Sequence, residues 1–287
     1  MNDNNIIFQY MIIGDMCDTR GPIKEIPNRT RSSVYREVGD ISARSFRKYA
    51  KKIGATHHYS TKQVYTEGRE GDTVLLFEVL RLIYDPMYDE YDNLLFCDTD
   101  IVCNTEENIF DVHKESGKDI SCVLESDIFT NVERTNRSYN SWDYDDKKMQ
   151  QIIDKYAHND LPIVPAKDMG SPNDSKMTMM NTGVHVWTKE ARLKAREVFD
   201  DWWKYVQSPG KDFWLNNDQP FISGNVVKHG FTLNHLDQTW NESPPHFGKD
   251  QEKTHDLWKD QNFLHYTGGF GKKYLLDAYD MGLFKYV

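Results

Sequence analysis

Long apolar runs are missing from this sequence. The two best, Ile6 to Ile13 and Val74 to Ile83, are interrupted by Gln9 and by Glu78 and Arg81, and both fall short of the roughly 18 residues that cross a membrane. No membrane span is expected. Basic charge is short too: 35 Lys and Arg against 45 Asp and Glu leave a net charge of −10. A chain of that sign repels phosphate backbones, which argues against general nucleic-acid binding but leaves room for a local cationic pocket. Cysteine is scarce. Cys17, Cys97, Cys103 and Cys122 show no Cys-x-x-Cys spacing, so neither a zinc ribbon nor a disulfide framework is written in. The opening residues carry Asp3 where a signal peptide would carry a basic segment. Together these absences point to a soluble protein of a reducing, cytoplasmic compartment. Four Asn-x-Ser/Thr triplets, at Asn28, Asn136, Asn173 and Asn241, carry no weight without a secretory signal.

What is present is a core-forming composition, 38% hydrophobic and 13% aromatic over 287 residues, long enough to bury a full core. Ile6 to Ile13 ends at Gly14-Asp15 as a buried strand does. Ser42 to Ile53 places Phe46, Tyr49, Ala50 and Ile53 at helical spacing, and Gly54 stops that helix. His57 to Ser60 is a second short strand. Asp72 caps a helix through Val74, Leu75, Phe77, Val79, Leu80 and Ile83 that closes before Pro86. Leu94 to Cys97 is too short for a helix and reads as a strand. Strand, helix, strand, helix, strand predicts an α/β domain with a largely parallel sheet. Beyond Cys103 the character changes. The polar stretch from Asn131 to Lys176 suits a functional lid or binding loop, Asn181 to Trp187 a strand, and Glu190 to Val206 one long helix. With no repeat and no linker, the chain reads as one domain of two packed halves, about 1–103 and 104–287.

Three segments carry chemistry. The first, Phe96-Cys97-Asp98-Thr99-Asp100, ends an apolar strand where open α/β sheets bind ligands. On extended backbone Asp98 and Asp100 share a face, and paired carboxylates suit a hard divalent cation, Mg²⁺ or Mn²⁺. With 30 Asp in the chain, chance alone gives roughly three Asp-x-Asp triplets. There are two, and Asp143/Asp145 sits in a polar stretch that suits a solvated loop. The second segment runs from His265 through Gly268, Gly269 and Gly271 to Lys272 and Lys273. A neutral imidazole ligates divalent ions, glycines admit close backbone approach, and lysine meets phosphate as a point charge. The bland alternative is a structural histidine beside surface lysines. The third, Asn216-Asn217-Asp218-Gln219-Pro220 after Trp214, offers the donors and acceptors that sugar hydroxyls need, or else a helix N-cap at Asn217 or Asp218.

With Met180-Asn181-Thr182-Gly183-Val184, these segments come in an order that resembles GT-A-fold glycosyltransferases, most like the glycogenin and galactosyltransferase-like group. The resemblance implies a single α/β domain with a mostly parallel central sheet and helices on both faces. Its first half would bind the nucleotide sugar, and its second would bind the acceptor and carry catalysis. It further implies a nucleotide-diphosphate sugar donor, UDP in kind, and a hydroxyl of a glycan or glycoprotein as acceptor. Asp98, Asp100 and His265 would hold Mn²⁺ or Mg²⁺. Lys272, with Gly268 and Gly271, would meet the diphosphate, and Asn181 and Arg81 would reach the donor. Asp218 and Gln219 would stand at the reaction centre, with Asp127, Glu125 and Asp237 behind Asp218 as alternative bases. One departure stands out: the group spaces these residues His-x-x-Gly-x-x-Lys, and here Gly268 to Lys272 is one residue longer. Two alternatives accompany this reading. One is a phosphatase of the haloacid dehalogenase type, with Asp98 as nucleophile and Asp100 as acid–base. The other is a non-catalytic carbohydrate binder using Trp142, Tyr144, Trp214 and Trp240.

Overall fold

Apolar residues bounded by turn formers build the centre of the molecule. The computed structural model describes residues 4–13, 26, 28–71, 73–124, 164–165, 177–178, 180–207, 218–242 and 260–287. Cys17, Asp72, Glu125, Asp127, Trp142, Tyr144, Asp143/Asp145, Trp214, Asn217 and nearly all of 131–176 lie outside them. In chain order come strand β1 (Asn5–Tyr10), helix α1 (Arg31–Ile53) and strand β2 (Thr56–Ser60). A 3₁₀ turn, Val74–Leu80, then runs into the short α2 (Arg81–Tyr84). Strands β3 (Asn93–Cys97) and β4 (Ile101–Cys103), helix α3 (Ile109–Ser116) and strand β5 (Ile120–Leu124) follow. After β6 (Val164–Pro165) and β7 (Met177–Thr178), a two-stranded pair, comes the long β8 (Met180–Thr188). Helices α4 (Lys189–Val198), α5 (Trp202–Val206) and α6 (Asp218–Lys228), strands β9 (Leu233–His235) and β10 (Phe263–His265), and helix α7 (Gly268–Asp280) complete the order.

The central sheet has the order β2-β1-β3-β8-β5-β9. The pairs β1–β2, β1–β3 and β5–β9 are parallel, and β8 runs antiparallel to β3 and β5 on either side. Five strands thus share one direction, and both halves of the chain contribute three strands. Alternation divides the side chains between two cores. Phe8, Leu94, Phe96 and Trp187 pack under Phe77, Leu80, Ala191 and Phe221 from the 3₁₀ turn, α4 and α6. Ile7, Leu95, Val184 and Val186 pack under Phe46, Tyr49, Ile109 and Phe110 of α1 and α3. Helices therefore cover both faces, as a mostly parallel sheet requires. No helix is long and apolar enough to cross a membrane among the described residues.

Three local expectations are corrected. Helix α1 begins eleven residues before Ser42, because Thr30 Oγ1 accepts from the Ser33 N–H at 3.2 Å. Its early stripe Val34, Val38 and Ile41 then packs on Leu275 and Leu276 of α7. The long helix expected from Glu190 is two helices. Phe199 is extended (φ −63°, ψ 142°), which lets its ring meet Trp187, Phe221 and Phe231, and the Asp201 carboxylate restarts the helix by accepting from the Trp203 and Lys204 N–H groups. The helix expected from Val74 begins as 3₁₀ and turns α-helical only at Arg81. The three described cysteines, Cys97, Cys103 and Cys122, are buried thiols.

Candidate active site

Strand β3 stops at Cys97, and Asp98-Thr99-Asp100 is a turn that carries the chain from the central sheet into β4. The extended geometry expected for this triplet is therefore corrected. The two carboxylates converge because the turn is pinned at both ends. The Asp98 N–H donates to the Gly183 carbonyl, and the Tyr266 N–H to the Asp100 carbonyl, each at 2.8 Å. Strand β4 pairs antiparallel with β10, with His265 opposite Ile101. That pairing brings the far end of the chain to the Asp-x-Asp turn.

His265 Nε2 lies 3.2 Å from Asp100 Oδ1 and 3.8 Å from Asp98 Oδ2, and Lys272 Nζ donates to Asp100 Oδ2 at 2.6 Å. Asp98, Asp100 and His265 each turn one ligand atom into a cluster no wider than 4.8 Å. Glycines make this possible. Gly268 adopts φ +69°, a left-handed conformation, and a Cβ at Gly271 would run into the Tyr266 backbone. Helix α7 therefore starts hard against the residue after His265 and delivers Lys272, which is 6% exposed and sits over the Tyr35 ring, to Asp100.

The electrostatics follow from four charges in a partly desolvated space. Burial raises the Asp98 carboxyl and the neighbouring Asp100 charge raises it further. Its side chain keeps 42% of its surface open, so solvent tempers that rise. Burial also pushes Asp100 up, but the charges and hydrogen bonds of Lys272 and His265 outweigh it and hold Asp100 well below the usual carboxylate range. For His265, burial lowers the pKa, yet Asp100 and Asp98 win and the net direction is up. Lys272 is likewise lowered by burial and raised, on balance, by Asp100. Two carboxylate oxygens and an imidazole nitrogen thus converge, a set of donors that could hold a metal ion.

Asp218 and Gln219, at the start of α6, reach the same end of the sheet through β8. Thr182 Oγ1 donates to Asp218 Oδ2 at 2.9 Å, and the Thr182 N–H donates to Gln219 Oε1 at 3.2 Å. Burial raises the Asp218 pKa to about 6, against the Thr182 hydrogen bond. Asn181, next in β8, has its side-chain oxygen engaged by the Gly183 N–H and by Asn241. Arg81 is not drawn into the cluster. It is 4% exposed, bonds to Ser60 Oγ and Asp85, and lies over the Phe8 ring. Asp237 caps the 3₁₀ turn Gln238–Asn241 through the Thr239 N–H, and Trp240 is buried edge-on against Phe263. Two residues of the site escape sequence reasoning. Asn241 shows in the sequence only as the start of an Asn-x-Ser triplet, yet its Oδ1 lies 2.8 Å from His265 Nδ1. Gly183 is the other: a Cβ there would lie 2.6 Å from His265 Cε1. A glycine inside a strand was its signal, since it marks close approach by another group.

No protein-family model and no curated protein matches the chain. Solved structures do. A glycosyltransferase involved in the glycosylation of the major capsid of PBCV-1 superposes with a TM-score of 0.51 at 12% identity, over 96% of this chain and 99% of that one. Mouse xyloside xylosyltransferase 1 gives 0.44 at 13% identity over 92% and 97%. The galactosyltransferase LgtC, solved with donor and acceptor sugar analogues, gives 0.44 at 13% over 99% and 97%. The first likeness spans almost the whole of both chains and shows a shared fold.

Proposed function

We propose that this chain, which has the GT-A glycosyltransferase fold, is a metal-dependent glycosyltransferase. It would move a sugar from a nucleoside-diphosphate sugar, with UDP as the nucleoside diphosphate, to a hydroxyl of a glycan or glycoconjugate. The observation that carries this reading is the meeting of Asp98, Asp100, His265 Nε2 and Lys272 Nζ from distant parts of the chain. Two carboxylates and an imidazole are a fitting donor set for Mn²⁺ or Mg²⁺. Bound there, such an ion supplies Lewis-acid charge for a departing diphosphate. Lys272, fixed by Asp100 and Tyr35, adds a buried positive charge on the same side. Helix α7 starts three residues beyond His265, and a helix N-terminus favours an anion there. Asn181, Asp218 and Gln219 face the donor sugar and the reaction centre in this reading. Asp218, with a pKa near 6, is ionised at neutral pH and basic enough to take the acceptor hydroxyl's proton in an inverting course. No observation favours the phosphatase or the lectin alternative.

The test is a panel of nucleotide sugars incubated with the protein and Mn²⁺, followed by release of nucleoside diphosphate. Metal-dependent release from one donor, abolished by chelation, is expected. Phosphate release from phosphomonoesters, with every nucleotide sugar left intact, would overturn the proposal.

A further inference from the structure

Asn241 closes the 3₁₀ turn Gln238–Asn241 and is 1% exposed. Its amide orientation follows from a donor whose direction is not in question. The Gly183 backbone N–H can only donate, and its partner at 2.8 Å is the Asn181 side chain, so that atom is the oxygen. The same oxygen lies 2.7 Å from the Asn241 side chain, which must present its NH₂ group. The other arm of the Asn241 amide is then its oxygen, 2.8 Å from His265 Nδ1. Nε2 meets acceptors as well, the Asp100 and Asp98 carboxylates, so with a cation between Nε2 and those carboxylates the one proton of the neutral ring belongs on Nδ1, where the Asn241 oxygen accepts it. The lone pair is left on Nε2, which faces Asp100 Oδ1 at 3.2 Å and Asp98 Oδ2 at 3.8 Å.

We infer that Asn241 is a positioning residue of the metal site. It fixes His265 as the Nδ1–H tautomer and so turns the Nε2 lone pair toward the cation held with Asp98 and Asp100. The alternative tautomer would aim an N–H at that cation and set two lone pairs, Nδ1 and Asn241 Oδ1, against each other. The relay is anchored in β8 at one end and β10 at the other, so ring orientation and tautomer are set together, as partners behind metal-bound histidines generally do. This inference rests on the metal reading above and goes beyond it by naming what makes His265 a ligand.

The test uses the full chain with Mn²⁺ alone, titrated by the loss of the free-ion EPR signal, in wild type, Asn241→Ala and Asn241→Asp. Removing the acceptor should weaken Mn²⁺ binding about 10- to 100-fold. The aspartate variant keeps an acceptor for Nδ1–H but turns a second oxygen toward Asn181 Oδ1, so it should recover part of that loss. Equal affinity in wild type and Asn241→Ala would overturn the inference, as would an Asn241→Asp variant no better than the alanine. Should Asn241→Ala fail to fold, nitrogen-15 spectra of the wild-type rings with saturating diamagnetic Mg²⁺, assigned with His265→Ala, decide at alkaline pH. An Nδ1–H signature supports the relay and an Nε2–H signature overturns it. A wild type that binds no Mn²⁺ overturns the metal reading itself, whereas binding that both substitutions leave untouched overturns only the role of Asn241.

Discussion

Gly183→Ala is a one-carbon perturbation aimed at the site without removing any ligand. The added Cβ would lie 2.6 Å from His265 Cε1, 2.9 Å from Asn181 Oδ1 and 3.0 Å from His265 Nδ1. Carbon atoms settle at about 3.5–4.0 Å, so ring and strand must part by about 1 Å. The strand has little freedom to yield. β8 is paired on both sides, and the Gly183 carbonyl holds the Asp98 N–H at 2.8 Å. The His265 backbone is held as well, by β4 and by its N–H bond to the Glu242 carbonyl at 2.6 Å. The imidazole therefore rotates, away from Asn241 and from the carboxylates. Overpacking of this kind costs about 1–3 kcal/mol of stability, and disturbing a metal-ligating histidine costs about 10- to 100-fold in metal affinity. Mn²⁺ titration by EPR and thermal melting read the two effects separately. Wild-type Mn²⁺ affinity and an unchanged melting temperature in Gly183→Ala would refute the reasoning.

Other consequences can be checked alongside. Asp100→Ala should lower donor hydrolysis and transfer roughly 10³-fold or more, because it removes a carboxylate of the cation site together with the partner of Lys272; activity within tenfold of wild type would contradict this. Lys272→Ala should weaken UDP binding measured by calorimetry in the presence of Mn²⁺, since it deletes a buried positive charge, and unchanged UDP affinity would count against a diphosphate at this lysine. His185 supplies a pH test of the core. Burial drives its pKa down to about 3, and the Trp187 indole N–H donates to its Nδ1 at 2.7 Å. Above about pH 6.5 both folded and unfolded forms are neutral and nothing is lost. As the pH falls below that value the unfolded chain takes up the proton first, so stability drains away between about 6.5 and 3, by up to about 5 kcal/mol. His185→Phe should therefore show a smaller drop in melting temperature from pH 7 to pH 4.5 than the wild type does, and an equal drop would refute the assignment.

Much of the fold was legible because its strands are short apolar runs ended by polar or glycine residues. Leu94 to Cys97 and Asn181 to Trp187 were found within a residue or so, and Gly54 does end α1 with a left-handed cap at φ 74°. The start of α1 was not legible, since Val34, Val38 and Ile41 form a thin stripe whose partner, α7, lies over 200 residues away. The break at Phe199 was hidden because its aromatic ring fits a helical stripe as well as it fits the pocket it occupies. At the site, Asp98, Asp100, His265 and Lys272 were readable from residue type and order, and the structure brings all four together. The way they meet was not readable. An extended Asp-x-Asp segment would place both acids on one face, but a turn between two sheets does so here. Asn241 and Gly183 act through contacts 24 and 82 residues away from His265 in sequence, beyond the reach of any local pattern. Met180 shows the same limit: it lies in the same core as Trp187, an odd number of residues away, because the β5–β8 register shifts between them.

The central claim is that one cation is held by Asp98, Asp100 and His265 while it meets the diphosphate beside Lys272. Electron–nuclear double resonance on Mn²⁺ in the presence of the protein and UDP tests it most directly, because hyperfine coupling reports which nuclei touch the ion. The account predicts a nitrogen-14 coupling from His265 and a phosphorus-31 coupling from UDP on the same Mn²⁺, with the nitrogen signal lost in His265→Ala and the phosphorus signal kept. Phosphorus coupling without any histidine nitrogen in the wild type would describe a metal–nucleotide pair bound elsewhere or free in solution, and would contradict it.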